Sequence, residues 1–152
     1  MQRLKQTRPL NDPLEESLVN LLLASAWLQE RLDRVLEPFG ITHAQYNVLR
    51  ILRGVHPDGH PRGEIRCRLV DRAPDVTRLI DRLKRRGLVE RAQGTDDRRH
   101  SITRVTRKGL DLLAQATRAF DDVLREVSER LGRTDQKDLS RLCEALYGPD
   151  LA

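Results

Sequence analysis

Apolar residues recur every three or four positions along most of the chain, and the breaks between stripes fall at glycine, proline and Asx residues. The first stripe is Leu14, Leu18, Leu21, Leu22, Leu28, Leu32, Val35 and Leu36, reaching Phe39. This is the repeat of an amphipathic helix. Asp12 is placed to cap it, Pro13 to take the first helical position and Glu15 to close a capping box. Gly40 ends it. A second helix is predicted from Thr42, with Gln45 as the capping-box partner, Val48, Leu49, Ile51 and Leu52 inward, and Gly54 as the stop. The turn-rich run from His56 to Pro61 separates it from a short helix over about Arg62 to Val70, with Ile65 and Leu69 inward. Another helix starts near Asp71 to Pro74 and runs to Arg86. It buries Val76, Leu79, Ile80 and Leu83, and Gly87 ends it.

The period then shortens. Leu88 to Gln93 and Ser101 to Thr106 read as strands, and Gln93-Gly94-Thr95-Asp96-Asp97 is the turn between them. Thr106 caps a further long helix whose inward set is Leu110, Leu113, Phe120, Leu124, Val127 and Leu131. Thr134 starts a last helix through Leu139, Leu142, Cys143 and Leu146. The predicted fold is mainly α with a small β-hairpin wing: a winged helix-turn-helix with a helical dimerisation region. Residues 1–152 form one domain. Within it, 41–106 make a DNA-binding lobe, and 12–39 and 107–147 make dimerisation helices. The end helices carry broad apolar stripes that a monomer covers poorly, so a homodimer is expected.

Charge placement adds a partner. Lys and Arg number 28 against 23 Asp and Glu, giving a formal charge of +5. That balance favours polyanions through phosphate attraction and counterion release. The stripe of the fourth helix turns Asp75, Thr77, Arg78, Asp81, Arg82 and Arg85 outward. Arg can hold guanine O6 and N7 with two hydrogen bonds, and Thr can contact bases or phosphates. The hairpin adds Arg91, Arg98, Arg99 and Arg104, and a wing-tip arginine suits a narrow minor groove. On an exposed face such charges can also pair among themselves, as Asp81 and Arg85 could at a spacing of four. A dimer would offer two recognition helices to successive major grooves, on half-sites about 10 base pairs apart or a small multiple. The expected partner is double-stranded DNA with a pseudo-palindromic operator.

Other chemistry is not legible. The chain has no Gly-rich phosphate loop, nucleophile elbow or HExxH, so no enzyme is expected. Cys67 and Cys143 form no metal-type spacing with each other or with the histidines, so neither a metal nor a cofactor is expected. Both thiols are expected to be buried and inert. The N-terminal residues lack a signal-type apolar run and no stretch is long enough to span a bilayer, so the cytoplasm is expected and no membrane partner.

The run Val76-Thr77-Arg78-Leu79-Ile80-Asp81-Arg82-Leu83, continuing through Lys84-Arg85-Arg86-Gly87-Leu88-Val89-Glu90-Arg91, resembles the recognition-helix signature of the multiple antibiotic resistance regulator (MarR) family. Asp97-Arg98-Arg99 matches that family's wing motif, Asp-x-Arg, and Val105-Thr106-Arg107-Lys108-Gly109 resembles the Leu-Thr-x-x-Gly after it. Thr42 to Leu49 resembles the family's second helix. The resemblance spans about residues 14 to 146. It implies a triangular homodimer of a transcriptional regulator, commonly a repressor. It also implies that Arg99 enters the minor groove, that Asp97 holds the wing arginines by a salt bridge, and that Thr77, Arg78 and Arg82 contact bases and phosphates. The Ser/Thr-rich start usual for the recognition helix is replaced by Arg72-Ala73-Pro74-Asp75, where Asp75 could accept from cytosine N4. The resemblance further implies release of DNA by a small anionic or phenolic effector, lined here by Trp27, Arg31, His43, Tyr46 and Asn47. The alternatives are a winged-helix module for protein contacts and a redox-responsive regulator without a small-molecule ligand.

Overall fold

Asp12 and Pro13 start the first helix. The Asp12 carboxylate accepts the Leu14 N–H at 2.8 Å, and proline lacks the donor that would be unpaired in the first turn. In this computed structural model, which describes residues 12–69, 75–93 and 101–148, the helix α1 spans Pro13–Leu36. A 3-10 turn at Glu37–Phe39 and a left-handed Gly40 close it. Thr42 and Gln45 form the expected reciprocal capping box, and α2 runs His43–Gly54.

After α2 the chain makes a strand not expected from the sequence. β1 is only His60–Pro61, too short for alternation to show, and it pairs with β3. α3 (Arg62–Arg68) and α4 (Val76–Arg85) follow. The hairpin strands are β2 (Val89–Gln93) and β3 (Ser101–Val105), paired antiparallel with Val89 opposite Val105 and Arg91 opposite Thr103. The sheet order is β1-β3-β2. Its core face carries Val89, Thr103 and Val105, all buried. Two long elements complete the chain: α5 (Arg107–Arg130) and α6 (Arg133–Tyr147). The last helix starts one residue earlier than expected, because Asp135 accepts the Gly132 N–H at 3.1 Å and fixes the cap there.

One core joins these elements. Leu36, Tyr46, Leu49, Ile65, Leu83 and Leu113 are each at most 1 % exposed and belong to a single cluster. Gly109, in the first turn of α5, is what lets that helix lie against the sheet. A Cβ there would meet the Leu88 carbonyl oxygen at 2.1 Å and a Val105 methyl at 2.8 Å. Thr106 completes the junction: its hydroxyl donates to the Gly87 carbonyl at 2.7 Å and accepts the Gly109 N–H at 3.1 Å.

The second half of α5 departs from the expected inward set. Val123 is buried while Leu124 is 51 % exposed, because in this half of the helix the face turned inward carries Val123 and the clasp residue Glu126 and not Leu124. α6 buries no residue. Leu14, Leu18 and Leu22 of α1 are also exposed, as are Leu139, Leu142 and Leu146 of α6. Leu14, Leu18, Leu139, Leu142 and Leu146 line an apolar groove of about 560 Å³ between these two helices.

Candidate nucleic-acid interface

The register of α4 follows from its cap and its apolar face. The Asp75 carboxylate accepts the N–H groups of Thr77 (3.0 Å) and Arg78 (3.2 Å), which starts the helix. Val76, Leu79, Ile80 and Leu83 are buried, so the opposite face looks outward. Asp75, Arg78, Arg82, Lys84 and Arg85 are exposed there, with Thr77 and Asp81 half-buried at the margins.

The structure divides these residues into two groups. Asp75 is engaged in its own helix, since its second oxygen also pairs with Arg78 Nε at 3.2 Å. The expectation that Asp75 meets a cytosine therefore competes with a cap and an ion pair that together use both carboxylate oxygens. The Thr77 hydroxyl accepts from Arg62 Nη1 at 3.2 Å, which ties α4 to the start of α3. Asp81 pairs with Arg91 of β2 at 2.8 Å, not with Arg85. Among the described residues, Arg82, Lys84 and Arg85 have no ion-pair partner, so three cations, two of them guanidiniums, stand free on the helix face. Free guanidiniums on a rigid helix are what base-edge and phosphate recognition requires.

Two of the four hairpin arginines turn out to be internal braces. Arg91 holds the wing root to α4 through Asp81. Arg104 Nε donates to the Asp58 carbonyl at 3.1 Å, which fixes the loop before β1. Asp97, Arg98 and Arg99 of the wing motif lie outside the described residues, as do Arg72, Ala73 and Pro74.

The five candidate effector residues do not converge. Tyr46 is a core residue: it is 1 % exposed, stacks on Phe120 with ring centroids 4.9 Å apart, and its hydroxyl lies 3.2 Å from Thr117 Oγ1. Trp27 and Arg31 belong to a clasp between α1 and α5. Arg31 and Arg130 both pair with Glu126, and the Arg130 guanidinium lies 5.0 Å from the Trp27 ring centroid. The Arg31 hydrogen bond is the main cause that lowers the Glu126 pKa, so the clasp is charged at neutral pH. His43 and Asn47 share a hollow of about 290 Å³ with Gln29, Asp33, Thr42 and Leu69.

A second hollow was not anticipated. It measures about 350 Å³ and is lined by Pro61, Arg62, Thr77, Arg91, Ser101 and Thr103. It joins residues of five elements, β1, α3, α4, β2 and β3, so no local motif marks it. Both hollows are near the lower end of small-ligand pockets, roughly 300–1,000 Å³. Cys67 is exposed, contrary to expectation, because α3 turns Ile65 inward and Cys67 to the other side; Cys143 is half-buried in the α1–α6 groove. Among the described residues, no group of three His, Cys, Asp or Glu side chains could hold a metal ion, and no helix is long and apolar enough to cross a membrane.

Known proteins give the same arrangement. The model of the MarR family matches residues 41–101, which run from just before α2 through α4 and β2 to the first residue of β3. A MarR transcription factor from Planctomyces limnophilus is 31 % identical in sequence, with a TM-score of 0.68, and the match covers 92 % of this chain and 99 % of that one. The chain belongs to the MarR family. A mutant MarR from Escherichia coli, solved in complex with operator DNA, is 26 % identical with a TM-score of 0.76, over 90 % of this chain and 99 % of that one. The transcriptional repressor MprA of Escherichia coli (strain K12) is 25 % identical over 149 residues, 96 % of this chain and 84 % of the relative. This MarR-family chain is a winged helix-turn-helix, DNA-binding transcriptional regulator.

Proposed function

We propose that the protein acts as a homodimeric repressor that reads a pseudo-palindromic operator with α4 and the wing. The observation that carries the reading is the two guanidiniums of Arg82 and Arg85, without an ion-pair partner among the described residues, on a helix whose other face is locked into the core. Arg78 and Thr77 flank them, held by Asp75 and Arg62. Residues 41–106 serve as the reading lobe, and 12–39 and 107–147 as the dimerisation helices. Arg98 and Arg99 supply the minor-groove contact, with Asp97 as their ionic partner.

A duplex selected by the protein from random-sequence DNA provides the test. Arg82→Ala is expected to weaken binding to it by roughly 5- to 150-fold, the 1–3 kcal/mol of one bidentate base contact. Arg99→Ala is expected to weaken binding comparably and to reduce the slope of log affinity against log salt by about one. Gel shift across a salt series measures both. Wild-type affinity for either variant would remove that residue from the interface.

Ligand release is the regulatory half of the proposal. The hollow beside α4 favours an anion, because Arg62 and Arg91 converge on it and Thr77 of the recognition helix forms part of its wall. A ligand there would compete for the ties that hold Thr77 and Asp81. The His43–Asn47 hollow is the alternative seat, closer to α1. An aromatic carboxylate such as 4-hydroxybenzoate, titrated into the protein–DNA complex, is expected to release DNA. Loss of that response in Arg62→Ala, but not in Asn47→Ala, would place the anion beside α4; the reverse pattern would place it beside α1.

A further inference from the structure

The C-terminal end of α4 is fastened to a distant part of the chain by a side chain that takes no part in the outward face. Arg86, which follows the last residue of α4, sends its guanidinium to two backbone carbonyls nearly fifty positions earlier. Nη2 donates to the Phe39 carbonyl at 2.8 Å and Nη1 donates to the Gly40 carbonyl. Both carbonyls belong to the junction at which α1 ends and α2 begins. Gly40 has φ +64°, and a Cβ there would come within 3.4 Å of both Arg86 Nη atoms. Glycine thus serves twice: it adopts the left-handed turn and leaves the fork room to approach. The Arg86 carbonyl in turn accepts from Lys108 Nζ, in the first turn of α5, at 2.9 Å.

One residue therefore links the end of the recognition helix to the end of α1 and the start of α5. These are two of the helices that carry the exposed apolar surface. A planar guanidinium reaching two carbonyls fixes an orientation as well as a distance, which a single-point ammonium does not. Arg86 also lies at the other end of α4 from the Arg62–Thr77 contact. The two ties hold the helix at both ends.

We infer that Arg86 is a positioning residue for DNA reading: it sets the angle of α4 against α1, so that the geometry of the dimer face dictates where the two recognition helices point. This rests on the proposal that α4 reads the operator. A residue acting in this way alters recognition of the correct sequence. It leaves unspecific attraction to phosphate unchanged, because that attraction depends on charge and not on alignment.

The test compares the selected duplex with an unselected random duplex, across a salt series, for Arg86→Met, Arg86→Lys and Arg82→Ala. Arg86→Met is expected to lose about tenfold on the selected duplex, on the scale of one well-made base contact. Its affinity for the random duplex, its salt slope and its oligomeric state should match wild type. Amide hydrogens of Gly40, Ile41 and Gly87 should exchange faster in the free protein. Arg86→Lys keeps the charge and one donor group, and is expected to fall between Arg86→Met and wild type. If Arg86→Met melts below the assay temperature, Arg86→Lys decides the question with the same comparison. Equal losses on both duplexes, with a salt slope lowered by about one in Arg86→Met, would make Arg86 a phosphate contact and overturn the inference. Wild-type binding by both Arg86 variants, while Arg82→Ala is impaired, would overturn the inference and leave the reading by α4 intact. Wild-type binding by Arg82→Ala and by both Arg86 variants would overturn the two together.

Discussion

Gly109→Ala is expected to destabilise the protein by about 3 kcal/mol, the upper part of the usual cost of overpacking. The sign is informative. In an ordinary helical position glycine is the worse residue by roughly 0.5–1 kcal/mol, so alanine would raise stability. Here the added methyl would meet the Leu88 carbonyl oxygen at 2.1 Å, and that carbonyl already accepts the Thr106 N–H at 3.1 Å. Neither backbone can yield without opening the joint between α5 and the sheet. For a chain of this size the thermal midpoint should fall by roughly 6–12 °C. Calorimetry or thermal circular dichroism measures it. A midpoint unchanged or raised would show that the α5–sheet joint relaxes freely and that Gly109 is not its constraint.

Leu142→Asp and Leu18→Asp are expected to abolish dimerisation and, with it, tight operator binding. Leu18 is 40 % and Leu142 56 % exposed, and both face the α1–α6 groove. Eight leucines of α1 and α6 are open to solvent in the single chain. Fully burying a leucine is worth about 1.5–3 kcal/mol, so a second chain covering this surface gains substantially. A carboxylate placed in such an interface must be desolvated without a partner, which costs several kcal/mol. With one reading lobe detached, binding of the second half-site is no longer intramolecular, and affinity should fall by roughly 10²- to 10⁴-fold. Sedimentation equilibrium and gel shift on the selected duplex check the two halves of this expectation. A stable dimer from both variants would place the interface elsewhere.

Much of the lobe is legible in the sequence because its rules are local. Asp12, Thr42 and Thr106 are all side-chain caps at the starts of helices. The recognition helix announces its buried face through Val76, Leu79, Ile80 and Leu83 at spacings of three and four. What is hidden depends on partners far apart in the chain. β1 is two residues long and exists only because β3 lies beside it. The arginines of the outward surface look alike in sequence, yet Arg91 and Arg104 are committed to Asp81 and to the Asp58 carbonyl while Arg82 and Arg85 have no ion-pair partner among the described residues. Arg86 shows the same limit: its partners are carbonyls, which carry no residue signature. Tyr46 and Trp27 read equally well as ligand-lining aromatics, and only packing separates the buried stacker from the member of an ionic clasp.

That clasp has a practical side. Trp27 is the chain's single tryptophan. It sits on α1 beneath a guanidinium of α5, within the helices offered for dimerisation. Indole fluorescence depends on the charge and water around the ring, so every photon the protein emits under selective excitation at the red edge originates at this one junction. The regulator thus carries an intrinsic optical reporter of whether α1 and α5 remain in register, readable without label or engineered probe while DNA, salt or a small molecule is added.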